Sequence, residues 1–225
     1  MTDCNTPRSK PPAEIVASEA AAISWTALTE DTGVSVVLLD ATGLILFIND
    51  RAMHEFSLPR EDVLGKNYAS FFAPEFGEER LSFFRRVVES STTLVVEHTF
   101  DGRRRRTTLR PFPADADGTP RILMMCRPAI DHEPPPQQGY QLIRARHNDM
   151  GTLASLTPRE LEILCLIGQG MATADIAKHL HRSEKTVEWH RVSLGNKLGV
   201  KNRVELARIA IRSGLTGSNL VAAAP

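Results

Sequence analysis

Residues 156–210 read LTPRELEILCLIGQGMATADIAKHLHRSEKTVEWHRVSLGNKLGVKNRVELARIA, and the reading of this stretch decides the C-terminal fold. Thr157-Pro158-Arg159-Glu160 opens a helix by two signals. Thr157 can cap the first turn with Glu160 as the reciprocal partner three residues on, and Pro158 stands at the first helical position, where its missing N–H costs nothing. Leu161, Leu164 and Gly168 recur at helical spacing, widened by Ile163 and Ile167. Gly168 and Gly170 then turn the chain. Thr173 is expected to cap a second helix with Ile176, Ala177 and Leu180 on one face. After the turn His181-Arg182-Ser183, Ser183 caps a third, with Glu184 in its first turn. Val187, His190, Leu194 and Leu198 share a face of that helix. Two short helices joined by a tight turn, the second bearing cationic and polar side chains, form a helix-turn-helix pattern.

A helix fits the major groove, and residues near its N-terminal end reach base edges. Ser183, Lys185, Thr186, Glu188, Trp189 and Arg191 occupy that region of the third helix. Arg191 can donate two hydrogen bonds to guanine, roughly 1–3 kcal/mol of discrimination. Glu188 can accept from cytosine N4, and Trp189 can lie against sugar or a thymine methyl. Lys178, Arg182, Lys197, Lys201 and Arg203 suit phosphates, which set position rather than sequence. From Gly151 onward there are ten Lys/Arg against six Asp/Glu, a net of +4 in a chain of net charge zero. That segregation favours double-stranded DNA over a protein as the partner of this bundle.

These residues resemble the C-terminal domain of LuxR/FixJ-type (NarL-type) bacterial transcription regulators. The likeness is carried by Leu156-Thr157-Pro158-Arg159-Glu160, Gly170, Ile176-Ala177, Leu180, Ser183, Lys185-Thr186-Val187, His190, Lys197-Leu198-Gly199-Val200, Asn202-Arg203 and Glu205-Leu206-Ala207. Glu188 stands where most such proteins carry Lys, and Thr-Val-Glu-x-His-Arg is similar to the FixJ branch. The resemblance implies a homodimer with the fourth helix, about Arg203 to Ser213, as its seam.

The whole chain has 225 residues and 42% hydrophobic content, enough for one or two packed domains. It has no run of 18 apolar residues. Its first residues lack the apolar core of a signal peptide, and Cys4, Cys126 and Cys165 are too scattered for a disulfide framework or zinc site. A cytoplasmic protein without a membrane partner is the expectation. Residues 1–13 and 216–225 read as tails. Residues 14–30 read as an alanine-rich helix with Ile15, Ala22, Trp25 and Leu28 on its apolar face.

Residues 31–128 change pattern. Ser35 to Asp40 and Leu44 to Asn49 read as a hairpin across Ala41-Thr42-Gly43. A helix follows from Asp50 to Ser57, then a helical turn from Arg60 to Leu64 and an aromatic segment at Tyr68, Phe71 and Phe72. After Pro74 comes an amphipathic helix to Ser90 with Leu81, Phe84, Val87 and Val88 on one side. Three strands close the segment: Thr93 to Phe100, Arg103 to Phe112 after the turn signal Asp101-Gly102, and Arg121 to Arg127. This order resembles a PAS domain, supported by Asp40-x-x-Gly43, Asn49, Leu64-Gly65-Lys66, Asp101-Gly102, Pro113 and Gly118.

The expected fold is therefore an α+β PAS domain (a five-stranded antiparallel sheet with helices) followed by an all-α four-helix helix-turn-helix domain at residues 151–215. Residues 129–150 read as a linker, stiff at Pro134-Pro135-Pro136, with a short helix at Tyr140 to His147. Arg103 to Arg106 reads as a solvated strand end rather than an anion site or a patch for Glu75, Glu78 and Glu79.

The resemblance also implies room for a small ligand in the PAS half, with Phe47, Tyr68, Phe71, Phe84, His98 and Met124 as the candidate lining. No cofactor is required by the sequence. Gly65 to Phe72 lacks the cysteine of flavin-adduct photochemistry, and haem would need an axial ligand, whereas His54 and His98 read as structural. No nucleophile–base pair, metal-ligand spacing or phosphate loop points to an enzyme. The expectation is a DNA-binding transcription regulator. Its PAS half would sense a small molecule, redox state or partner and control dimerisation or DNA binding, or else serve, ligand-free, only as a dimerisation platform.

Overall fold

The structure, a computed structural model, describes residues 19–58, 63–130 and 134–216. The chain divides into two compact units: the described residues of 1–98 and 105–147, and those of 99–104 and 148–225. The two tails, the start of the first helix before Glu19 and most of the turn expected at Arg60 to Leu64 lie outside the described residues.

The first unit begins with α1, Glu19–Thr26, which runs into a π-helical turn, Ala27–Asp31. The wider turn alters the expected face: Trp25 and Thr29 are buried, Leu28 is exposed, and the Thr29 hydroxyl donates to the Trp25 carbonyl at 2.9 Å. The sheet comprises β1 (Ser35–Asp40), β2 (Ile45–Ile48), β3 (Leu94–Phe100), β4 (Arg103–Phe112), β5 (Arg121–Pro128) and β6 (Gln141–Arg144), in the order β2-β1-β5-β4-β3-β6. Between β2 and β3 lie α2 (Asp50–Glu55), a 3₁₀ turn (Tyr68–Phe71) and α3 (Pro74–Ser90).

All six β1 residues are buried, which explains the unbroken apolar run: this strand is covered on both faces. On one face Val36 and Leu38 pack with Trp25 and Phe47, joined by Phe112, Leu123 and Met125. The Trp25 ring meets Phe47 edge-on at 5.3 Å and Phe112 at 6.3 Å. By strand alternation the neighbouring residues Val37, Leu39, Ile122, Met124 and Cys126 face the other side, where all are buried. Asp40 organises the first hairpin, its Oδ1 accepting from the amides of Thr42 (2.8 Å) and Leu44 (2.9 Å). Gly43 takes φ +89°, and a Cβ there would come within 2.6 Å of Leu81.

Three expectations are corrected. The sheet has six strands, because residues 141–144 form a strand rather than a helix: β6 pairs parallel with β3 from Leu94↔Gln141 to Glu97↔Arg144. The cause is the open edge of β3, whose unpaired amides and carbonyls any extended segment can satisfy. Arg103 to Arg106 is a solvated strand end only in its first half, with Arg103 exposed and Arg104 half-buried. Arg105 and Arg106 are both buried. Arg105 Nη1 stands 2.5 Å from Glu55 Oε1, Ser35 Oγ donates to Glu55 Oε2 at 2.6 Å, and Arg106 Nη1 donates to the Pro134 carbonyl at 3.0 Å. Nor does the run serve Glu79, whose carboxylate accepts from Arg80 and from the amides of Arg146 and His147.

Asn49 joins the elements of this unit. Its Oδ1 accepts from the amides of Val36 and Ala52, both at 2.9 Å, capping α2 while fixing the start of β1. Its Nδ2 donates to the carbonyls of Val34 (2.9 Å) and Thr29. The side chain is buried, and truncating it strands backbone groups without water. Asn49→Ala is expected to destabilise this unit by about 2–4 kcal/mol, and Asn49→Asp, which keeps the acceptor but sets a buried anionic oxygen against the Thr29 and Val34 carbonyls, by at least as much. Urea unfolding followed by Trp25 fluorescence in a Trp189→Phe background measures both. A loss under about 0.5 kcal/mol for Asn49→Ala, within the range of an ordinary surface change, would refute this assignment.

Candidate nucleic-acid interface

The second unit is built on four helices: α4 (Pro158–Gly168), α5 (Thr173–His179), α6 (Glu184–Leu198) and α7 (Arg203–Ser213), preceded by a 3₁₀ turn at Gly151–Ser155. The predicted capping box at Thr157 and Glu160 is present, and Asn202 with Glu205 forms a second at the start of α7. Ser183 caps α6, accepting from the Thr186 amide at 3.1 Å. Thr173 does not cap α5. The extended residue before the helix is Ala172, and Thr173 begins it. Ile163, Leu164, Ile167, Ile176, Leu180, Val187, Leu194, Leu206 and Ala210 form the shared core. Gly168 permits the closest approach of α4 to α7, since a Cβ there would lie 2.6 Å from that of Ala210.

The turn between α5 and α6 is held tightly. The amides of His181 and Arg182 donate to the carbonyls of Lys178 (3.2 Å) and Ala177 (2.9 Å), and His181 takes a left-handed φ of 51°. From α4, Arg159 donates to the Leu180 carbonyl at 3.2 Å. The placement of α6 itself depends on Glu160, which is 3% exposed. Its carboxylate accepts from the Thr157 amide at 2.8 Å, Ser193 Oγ at 2.8 Å and Lys197 Nζ at 2.7 Å. Burial alone would raise the Glu160 pKa. The Lys197 ammonium, the Thr157 amide and the Ser193 and Thr157 hydroxyls outweigh it and lower it to about 2.

The helix then sorts the expected contact residues into three groups. Val187 and Leu194 face the core. Lys185, Trp189, Val192 and Asn196, spaced i, i+4, i+7 and i+11, form the exposed outward stripe. On one flank Glu188 and Arg191 are paired: Arg191 Nε lies 3.0 and 2.9 Å from the two carboxylate oxygens, and Nη2 also donates to Oε1. Both oxygens of Glu188 are thus turned to Arg191 rather than outward to a base. The pair uses the Nε/Nη2 edge of the guanidinium and leaves the Nη1/Nη2 edge for another acceptor. The hydroxyls of Ser183 and Thr186 bond to each other at 2.8 Å.

Lys178, Arg182, Lys185 and Lys201 are exposed, and among the described residues no ion pair engages them. Lys197 and Arg203 are committed inside the unit, Lys197 to Glu160 and the Ser155 carbonyl, Arg203 to the Met171 carbonyl. Sequence reasoning did not single out Val192, Asn196, Glu160 or Ser193 for these roles. The first two were legible from their spacing to Lys185 and Trp189. The link between Glu160 and Ser193 joins residues 33 positions apart and leaves no local trace.

The candidate ligand residues of the first unit do not form one set. Phe47 lies on the Trp25 face of the sheet, whereas Met124 projects to the opposite face. Tyr68 and Phe84 meet edge-on at 5.8 Å, and His98 joins their side of the unit through Phe76 at 6.2 Å. Phe71 is half-buried. His98 Nε2 and Thr107 Oγ1 share a 2.8 Å hydrogen bond. Burial pushes the Cys126 thiol up to about 11, so it stays protonated at neutral pH.

In chain order, a PAS-like sheet unit precedes a helix-turn-helix whose second helix presents an open, exposed face. Residues 154–210 match the model of the luxR family of bacterial regulatory proteins, and residues 29–129 match the PAS fold. The second unit thus carries a helix-turn-helix similar to that of luxR-family regulatory proteins, and the first unit a PAS fold.

Among its relatives are an uncharacterized response regulatory protein, YgeK of Escherichia coli, and the transcriptional regulatory protein LiaR of Bacillus subtilis. The first is 39% identical over 84 residues, covering 34% of this chain and 57% of that one. The second is 42% identical over 79 residues, covering 34% and 37%. The matched region thus spans little more than half the length of the first relative and about a third of the second. A solved structure of the Vibrio cholerae VqmA dimer is 21% identical, covers 88% of this chain and 92% of that one, and superposes with a TM-score of 0.42. Among the described residues no helix is long and apolar enough to cross a membrane.

The Glu160 cluster makes stability depend on pH with a definite sign. The folded pKa lies below the ordinary value of 4.5, so the contribution is fully present above about pH 5 and is lost as pH falls from there towards 2. In acid titrations of thermal unfolding, Glu160→Gln is expected to flatten the second unit's loss of stability between about pH 5 and 2. At neutral pH it should cost on the order of 3 kcal/mol or less. Parallel pH profiles for the two proteins would remove Glu160 as the linked group.

Proposed function

We propose that α6 enters the major groove of an operator, with Lys178, Arg182, Lys185 and Lys201 on the flanking phosphates and the free edge of Arg191 directed at guanine. The observation that carries this reading is the open face of α6 together with four exposed cations that no ion pair engages among the described residues. Glu188 acts here as a brace: it orients Arg191 and cancels the repulsion its own charge would exert on phosphate. Arg191→Ala is expected to weaken operator binding and to relax preference at one guanine by about 1–3 kcal/mol. Lys201→Ala should weaken all sequences alike and lower the slope of log K against log salt by about one unit. Fluorescence anisotropy over a salt series measures both, and an unchanged slope would strike Lys201 from the phosphate set.

The chain acts as a homodimer in the cytoplasm in this reading, because two half-sites engaged together multiply affinity. Support comes from α7, where Val204 (69% exposed) and Ile211 (50% exposed) lie i, i+7 on one face. The PAS unit is the input. The aromatic tier around Tyr68 and Phe84, with the His98–Thr107 pair beside it, suits a small-molecule or partner signal. The high Cys126 pKa argues against thiol redox chemistry. The signal would act by favouring the DNA-competent or dimeric population. Ile211→Glu is expected to shift the dimer to monomer in native mass spectrometry and to lower operator affinity at least tenfold. A dimer that persists at unchanged concentration dependence would move the seam off α7.

A further inference from the structure

The centre of the outward stripe of α6 is apolar, which is unusual for a surface that faces a polyanion. Trp189 is 67% exposed and Val192 is 53% exposed. They stand three residues apart on the same face and so lie side by side. The core of the unit is complete without them: Val187 and Leu194 fill the inner face at 2% and 0% exposure. Large apolar groups placed together on an exposed surface mark a contact. The surroundings say with what. Lys185 precedes the pair on the stripe and Asn196 follows it. On the flank Glu188 is neutralised by Arg191, while Glu184 stands one turn before it at the start of α6, where the helix N-terminus favours an acid. A patch with an apolar centre and a cationic margin fits a partner that is anionic at its edges and apolar in its middle. In the major groove of DNA the apolar feature is the thymine C5-methyl group, set between two phosphate walls.

We propose that Trp189 and Val192 form a methyl-reading patch, so that this regulator selects its operator in part by thymine methyls at two neighbouring steps of each half-site. The inference rests on the proposal that α6 is the reading helix and names what that helix recognises besides guanine. Val192 supplies a short branched contact near one base edge. Trp189 covers a broader area towards the sugar of the next step. Neither contact needs a hydrogen bond, so the Val192 contact and the methyl-facing part of the Trp189 contact are lost with the methyl.

Deoxyuridine tests this directly, because it deletes the methyl and keeps Watson–Crick pairing. Operators are first selected from random duplexes with the full-length chain, and each thymine of the selected half-site is then replaced singly by deoxyuridine. At one or two positions the substitution is expected to weaken binding about three- to fivefold, the scale of one buried methyl. Val192→Ala should abolish the sensitivity at one of these positions, whereas Lys201→Ala should leave it intact. Both residues of the patch are exposed, so the variants are expected to keep the native circular dichroism and melting temperature. Two results would overturn the proposal, and they are distinguishable. If the chain binds a selected operator in an Arg191-dependent way yet no deoxyuridine changes affinity more than twofold, the methyl patch falls and the reading helix stands. If Trp189→Ala leaves selection unchanged but disrupts self-association, or no duplex is enriched, the assignment of α6 as the reading helix falls with it.

Discussion

A carboxylate removed from water is costly unless its lone pairs are met, and the second unit turns that cost into a constraint. Glu160 meets its own helix start through Thr157 and reaches α6 through Ser193 and Lys197. One buried group therefore fixes both where α4 begins and how α6 is presented. The hydrophobic core holds the two helices together, but apolar packing is not directional and tolerates small rotations. A rotation of α6 about its axis would exchange the outward stripe for its flank. The two polar bonds from successive turns of α6, at Ser193 and Lys197, oppose that rotation. The outward face of α6 is thus determined from behind, by residues that do not reach it.

Asn49 is the counterpart in the first unit, and the two cases share a logic. Each is a buried polar side chain whose several bonds go to elements distant in sequence. In the Asn49 site these are the start of β1, the first turn of α2 and the π-helical turn after α1. Once such a group is fully bonded, alternative packings must leave part of it unsatisfied, which penalises them more than lost apolar contact would. The Glu55–Arg105 pair adds a charge to this scheme, with Ser35 on its second oxygen. It also explains how Arg105 can lie buried in a strand: the strand carries it past a buried acid, while Arg103 stays exposed.

Local signals were sufficient for most of the architecture. The boundaries of α3, β4 and α7 follow from Pro74, from Asp101-Gly102 and from Asn202 with Glu205, each a capping or turn residue that acts within four positions. The order of strands and helices likewise followed from periodicity and resemblance. What escaped was non-local. β6 is a strand because β3 offers an open edge, which no property of Gln141 to Arg144 announces. Arg105 is buried because Glu55 lies across from it, fifty residues earlier. Phe47 left the expected lining because α1 covers the second face of the sheet, so an apolar residue on β2 has two interiors to choose from rather than one.

The candidate interface shows the same division within a single helix. Val187, Val192 and Leu194 are alike to any scale of hydrophobicity, yet two are core and one is exposed. A sequence pattern assigns faces by counting apolar positions, and Trp189 with Val192 blurs the count because the outward surface is itself partly apolar. The hydrophobic periodicity of α6 is weak because the helix has an apolar inner face for its own core and an exposed apolar strip on the opposite side. The polar residues do the sorting. Ser193 and Lys197 mark the side that meets Glu160, the Glu188–Arg191 pair marks a flank, and what remains between Lys185 and Asn196 is the surface left for the partner. Glu188 illustrates how far this changes a chemical reading. Taken alone it is a hydrogen-bond acceptor that would select cytosine. Paired to Arg191, both its oxygens are turned to the guanidinium, and in the proposed reading it aims a donor at the groove instead of accepting from it.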